Sequence, residues 1–182
     1  FKFFGRSVLF AILMSTLFLP QVVLNVPQYI MYNIFGWVGS KLYLPLIVPS
    51  MFATETYFVF MLIQFLRNIP KELEEAAKID GCNEIQTLIK VIVPMLKPAL
   101  VSCALFKFMW ASNDFLGPLL YVNNPAKYPA TIFVKLAMDS DAGFAWNRIL
   151  STSLISILPS IIIFFIAQNQ FVEGISAGGV KG

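Results

Sequence analysis

The chain has 182 residues, of which 58% are hydrophobic and 13% charged, with mean hydropathy +0.75 and net charge +3. A soluble domain carries about 25% charged residues, so this balance excludes an ordinary soluble fold and indicates a polytopic membrane protein. The small positive charge gives no argument for nucleic acid, and with no His and only Cys82 and Cys103 there is neither a disulfide framework nor a metal set.

In chain order, residues 8–26 form the first expected span, near the ~20 residues that cross a bilayer. Pro20 is expected to kink it, and Lys2 and Arg6 suit a cytoplasmic end. Residues 27–41 read as a connection in which Tyr29, Tyr32 and Trp37, with Tyr43 beyond, look like interface anchors. The second span is expected over 42–66, carrying Pro45, Pro49 and Glu55, and a polar interval occupies 67–98. The third span is expected over 99–122, with Lys107 and Asp114 inside it. An outer segment, 123–148, contains the turn signal Asn123-Asn124-Pro125, and its Asp139 and Asp141 read as part of a solvated loop. The last span is 149–167, and a small-residue tail, 171–182, follows; its Gly and Ser content argues against a stable isolated helix. Lys and Arg divide eight to four in favour of the side holding the polar interval and the tail, which places both in the cytoplasm.

The polar interval has its own grammar. Pro70 suits a helix start, and Glu72, Glu74 and Glu75 follow where the positive end of the helix dipole favours carboxylates. Gly81 is placed to stop this helix in the left-handed conformation. Ile85, Leu88, Ile89 and Ile92 then recur as an apolar stripe, closed by Pro94 and Pro98. Two short helices with a glycine corner are predicted. Taken by period alone, they form an amphipathic loop resting on lipid headgroups.

The wording of the interval adds a second reading. Glu75-Ala76-Ala77, Asp80-Gly81, then Ile92-Val93-Pro94 and Pro98 closely resemble the EAA loop of permease subunits in binding-protein-dependent ABC importers. The sugar-import branch, and within it the maltose-type G subunit, is the nearest likeness. Asn113-Asp114-Phe115-Leu116-Gly117-Pro118-Leu119 resembles the Trp-Asn-Asp-Phe-Leu segment of sugar permeases, with Ser112 where Trp is usual and Trp110 two places earlier. The tail from Phe171 to Gly182 resembles the maltose-type ending.

The resemblance covers nearly the whole chain and implies an all-α membrane protein of the type I importer permease fold. Four spans match the last four of the family's usual six, so up to two spans are expected before Phe1. It implies that the loop at 67–98 sits in a cleft of a cytoplasmic ATPase through Glu74, Glu75, Ala76, Ala77, Asp80 and Gly81. Gly178, Gly179, Lys181 and Gly182 would reach into the ATPase dimer. Asp139, Ser140, Asp141 and Gly143, before the last span, would probe a soluble substrate-binding protein. The implied partners are a second homologous permease, the ATPase dimer, the binding protein, a sugar or oligosaccharide, and lipid; nucleic acid is not among them. The implied location is the bacterial inner membrane, spanned several times.

The chain has no G-x-x-x-x-G-K-[ST] loop, so ATP and Mg are expected on the partner ATPase, and no cofactor, catalytic residue or metal is assigned to this chain. Ionisable groups inside spans are functional candidates. At 1.5 Å per residue Glu55 and Lys107 lie ~16 and ~12 Å from the cytoplasmic ends of their helices. They could neutralise each other. Alternatively Lys107, with Trp110, Asn113 and Asp114, lines the substrate pathway, and its cation points to an acidic sugar such as a uronate; alginate importers fit that description. Asp114 reads better as a tie between helix ends than as a sugar ligand. Two rival functions remain: an ion-coupled secondary transporter using Glu55 or Asp114, and a membrane enzyme using Asp139 and Asp141.

Overall fold

Proline sets many of the element boundaries, because it lacks an N–H and fixes φ, which suits the first turn of a helix. A computed structural model describes residues 4–52, 54–138 and 146–179, with side chains to 169. Helices run Arg6–Thr16 (α1), Gln21–Ile34 (α2), Leu44–Met51 (α3), Thr56–Asn68 (α4), Lys71–Ile79 (α5), Glu84–Thr87 (α6) and, after a π-helical turn over Leu88–Ile92, Val93–Met95 (α7). Then come Lys97–Asn113 (α8), Leu116–Tyr121 (α9), a 3-10 turn at Pro125–Lys127, Ala130–Met138 (α10) and Trp146–Gly179 (α11). The described residues contain no strand. Pro20 and Pro70 stand at the entries to α2 and α5, and Pro45 lies in the first turn of α3.

By length and apolarity Leu44–Asn68 and Trp146–Asn169 could each cross a bilayer, with mean hydropathy 1.7 and 2.4. Two bent pairs, α1 with α2 and Glu84–Met95 with α8, raise the total to as many as four. Several expected boundaries move. The first span is not one kinked helix over 8–26: α1 and α2 meet at 96°, and α2 continues through Pro27 to Ile34. Pro20 withdraws a donor and the chain takes a turn over 17–19, so the helix restarts rather than bends. The third span does not continue to 122, because α8 stops at Asn113 and α9 restarts at Leu116. Pro94 and Pro98 do not close a helix; each falls in the first turn of one, with a 68° bend where α8 departs. The outer segment holds α10, and Ile132 on that helix is fully buried. The tail is helical as far as Gly179, as a continuation of a 34-residue helix and not as the isolated segment its composition disfavours.

The chain divides into two compact units, residues 1–57 with 110–159, and residues 58–109 with 160–182. In the first, Tyr32 is buried, stacks on Trp37 at 5.6 Å and meets Tyr121 edge-on at 5.4 Å. Tyr29 stacks on Tyr121 at 6.3 Å, and Gly39 donates its N–H to the Tyr121 carbonyl at 2.9 Å. Tyr29, Tyr32 and Trp37 therefore form a packed aromatic cluster with Tyr121, beyond the separate interface anchors expected. The Tyr43 hydroxyl donates to the Lys127 carbonyl at 3.4 Å, and the Lys127 ammonium lies 5.6 Å from the Tyr43 ring centre.

In the second unit α5 folds back against α6 and the π turn. The corner between them is a Schellman stop followed at once by a capped start. Gly81 has φ +82, its N–H bonds the Lys78 carbonyl, and the Cys82 N–H bonds the Ala77 carbonyl. Asn83 Oδ1 accepts the Gln86 N–H at 2.8 Å, and Gln86 Oε1 accepts the Asn83 N–H at 3.0 Å. This reciprocal capping box satisfies two otherwise orphaned donors. Asn83→Ala is expected to destabilise the corner by about 1 kcal/mol, seen as roughly fivefold faster hydrogen exchange at the Gln86 amide. Unchanged exchange would show that the box holds nothing.

Candidate functional site

The corner places the predicted coupling residues on one short, rigid elbow. Glu74, Glu75 and Ala76 are exposed on α5, Ala77 is buried beneath them, and Asp80 and Gly81 form the stop. Glu72 and Glu74 lie in the first turn of α5 and Lys78 in its last, each matching the helix dipole. The apolar stripe behaves differently from a core stripe. Only Ile92 is buried; Ile85 and Ile89 are 67% and 61% exposed, and Ile79 at the end of α5 is 86% exposed. Leu73 and Leu88 are exposed as well. The positions that do bury are Thr87, Ile92, Leu96, Ala99, Ser102 and Leu105, running from α6 into α8. Ser102 Oγ is satisfied by the Pro98 carbonyl at 2.9 Å, whereas the buried Thr87 hydroxyl has no partner among the described residues. The elbow thus shows exposed isoleucines, Ile79, Ile85 and Ile89, on a segment that also exposes both acidic and basic side chains, among them Glu75, Glu84, Lys71 and Lys90.

The residues proposed for the substrate pathway are spread over both units. Glu55 is half-buried between α3 and α4, in the first unit, and Lys107 is half-buried on α8 in the second. Trp110 and Asn113 occupy the exposed end of α8, with the Trp110 ring 5.2 Å from that of Tyr57. Asp114 is occupied structurally: Oδ1 accepts the Gly117 N–H at 3.1 Å at the start of α9, and its carbonyl accepts from the Thr131 hydroxyl at 3.1 Å. A Cβ on Gly117 would meet the Asp114 carboxylate and lie 3.0 Å from Leu46 Cδ2, so both side chains would have to give way. Beside Glu55, the Thr56 hydroxyl bonds the Thr16 hydroxyl at 2.7 Å, joining the start of α4 to the end of α1. Of the tail residues, Gly178 and Gly179 end α11, while Lys181 and Gly182 lie outside the described residues, as do Asp139, Ser140, Asp141 and Gly143. No group of three metal-ligating side chains occurs among the described residues.

Sequence reasoning missed the Asn83–Gln86 box, although N-x-x-Q ahead of an apolar run announces it. It also missed three amides on α2, Gln21, Asn25 and Gln28, whose i, i+4, i+7 spacing was legible within an apolar span.

Comparison with known proteins supports the resemblance read from the loop. The chain is 30% identical over 181 residues to the trehalose/maltose transport system permease protein MalG of Thermococcus litoralis, covering all of this chain and 64% of that one. It is 30% identical to the sulfoquinovosyl glycerol transport system permease protein SmoH of Agrobacterium fabrum, covering 97% and 61%. It is 34% identical to the osmoprotective compounds uptake permease protein GgtD of Synechocystis, covering 97% and 59%. The chain therefore spans about three fifths of the length of these relatives. The fold matches, with TM-score 0.72 and 22% identity over 93% of this chain and 63% of the other, a crystal structure of a bacterial ABC transporter involved in the import of the acidic polysaccharide alginate. The family model for the inner membrane component of binding-protein-dependent transport systems matches residues 1–175, and the chain belongs to that family.

Proposed function

We propose that this chain is the membrane-spanning subunit of an ATP-driven carbohydrate importer, passing a sugar or oligosaccharide from a soluble binding protein to the cytoplasm by alternating access. It works beside a second homologous permease and on a dimer of ATPase subunits that hold ATP and Mg. The observation that carries this reading is the elbow: a hydrogen-bonded α5–Gly81–α6 corner whose isoleucine edge is uncovered. Closure of the ATPases moves the elbow as a rigid body, and the spans follow. The end of α11, including Gly178 and Gly179, lies beside the same partner in this scheme, and the 139–143 segment meets the binding protein. The ion-coupled alternative is not favoured by membership of a binding-protein-dependent family. Purification from native membranes tests the reading: the chain should travel with an ATPase and a second permease. The reconstituted assembly should hydrolyse ATP faster when its binding protein is loaded. Purification alone, with uptake driven by an ion gradient, would overturn it.

The finer reading concerns charge. Lys107, a cation inside a span, supports an acidic substrate such as an oligouronate. If Lys107 meets the sugar, Lys107→Met leaves assembly intact and reduces uptake of an oligoguluronate more than of maltose or trehalose. If Lys107 instead neutralises Glu55, the substitution destabilises by something on the order of 3 kcal/mol, and adding Glu55→Gln restores function. Rescue by the double variant would refute the substrate contact.

A further inference from the structure

We propose that one face of α2, formed by Gln21, Asn25 and Gln28 and ending on Tyr29, is a hydroxyl-reading wall of the translocation pathway. This rests on the carbohydrate-importer reading and names the residues that would contact the sugar. At about 100° per residue, Gln21, Asn25, Gln28, Tyr29 and Tyr32 fall within one arc of roughly 100°. The opposite side of the helix carries Val23, Pro27, Ile30 and Ile34, all exposed. A membrane helix with this division sets its apolar side to lipid and its polar side to the protein interior or a water-filled cavity. The outer end of the polar arc confirms which side faces protein, since Tyr32 is buried and Tyr29 stacks on Tyr121 of α9.

The amides themselves are underused. Gln21 Nε2 donates to Asn25 Oδ1 at 3.4 Å and to Gln28 Oε1 at 3.3 Å, long for such bonds. Among the described residues they bond only one another, which leaves the amino groups of Asn25 and Gln28 and the carbonyl of Gln21 for another molecule. In hydrocarbon such groups would be costly. A concavity of about 240 Å³, lined by Asn25, Val26, Tyr29 and Leu120, adjoins the ladder. Neutral amides that donate and accept, spaced one helical turn apart and next to an aromatic face, suit a polyhydroxylated ring rather than an ion. The ladder would therefore contribute to affinity for the hydroxyls of neutral and acidic sugars alike, separate from any effect of Lys107 on charge.

The test uses the complete assembly with Cys82→Ser and Cys103→Ser. Asn25→Cys should react with a charged, water-soluble thiosulfonate about tenfold or more faster than Ile30→Cys on the other side of the helix. Asn25→Leu should raise the uptake KM about tenfold, the loss of one or two hydrogen bonds, for whichever of maltose, trehalose and oligoguluronate the assembly takes up, with recovery of the second permease unchanged. Equal labelling at the two positions, or an unchanged KM, would overturn the proposal. So would loss of the second permease in Asn25→Leu with no labelling of Asn25→Cys, which would assign the ladder to a helix–helix contact. Failure of the importer reading is recognised separately, by an assembly that lacks an ATPase or takes up none of the three sugars.

Discussion

Gly81→Val should leave the spans inserted and lower sugar-stimulated ATP turnover by about tenfold or more. The reason is confined to the backbone. A Cβ at Gly81 would meet nothing within 4 Å, so no clash contributes. What matters is φ +82, a conformation that costs a residue with a Cβ about 1–2 kcal/mol and a β-branched one more. The Schellman bonds from Gly81 and Cys82 hold only in that conformation. Valine therefore favours corners in which α5 no longer folds back on α6, and the isoleucine edge loses its shape. Gly81→Asn is the control, because Asn tolerates the left-handed region; it should retain most of the turnover. Normal stimulated turnover in Gly81→Val would show that the corner is not the coupling element.

Gly117→Val should destabilise the first unit by about 2 kcal/mol when overpacking and cap loss are taken together. The new side chain would displace the Asp114 carboxylate from the Gly117 N–H and press on Leu46 of α3. α9 would lose both its N-terminal tie and its seat. Asp114→Asn keeps an acceptor at the same place and should cost far less. Thermal unfolding of the detergent-solubilised assembly decides the matter: a midpoint unchanged in Gly117→Val would mean that the α8–α9 break is not held in this way.

Legibility followed the locality of the cause. The Gly81 stop was readable because a left-handed residue, a proline start and first-turn acids are local signals at Gly81, Pro70 and Glu72. The break at Pro20 was readable as a disturbance but not as a 96° turn, because the angle depends on what α2 packs against, including Tyr121. The helix at 130–138 was hidden by Lys127, Lys135 and a turn signal, though Ile132 in its first turn is the most deeply buried side chain among the described residues of its unit. The stripe Ile85–Leu88–Ile89–Ile92 was legible as a stripe, but its period could not say that three of its members face outward. An unmatched apolar surface has the same sequence signature as a buried one when its cover belongs to another chain.

The π turn at Leu88–Ile92 has a consequence for how the isoleucine edge is aimed. Its Val93 N–H reaches back five residues to the Leu88 carbonyl, so the turn contains one residue more than an α-helical turn would. That surplus residue is an angular offset between the elbow and α8. Removing it would restore α-helical winding and swing Ile85, ahead of the turn, by roughly 100° about the helix axis. The compass bearing of that edge is stored in the helix's winding number, not in the chemistry of the surface it presents.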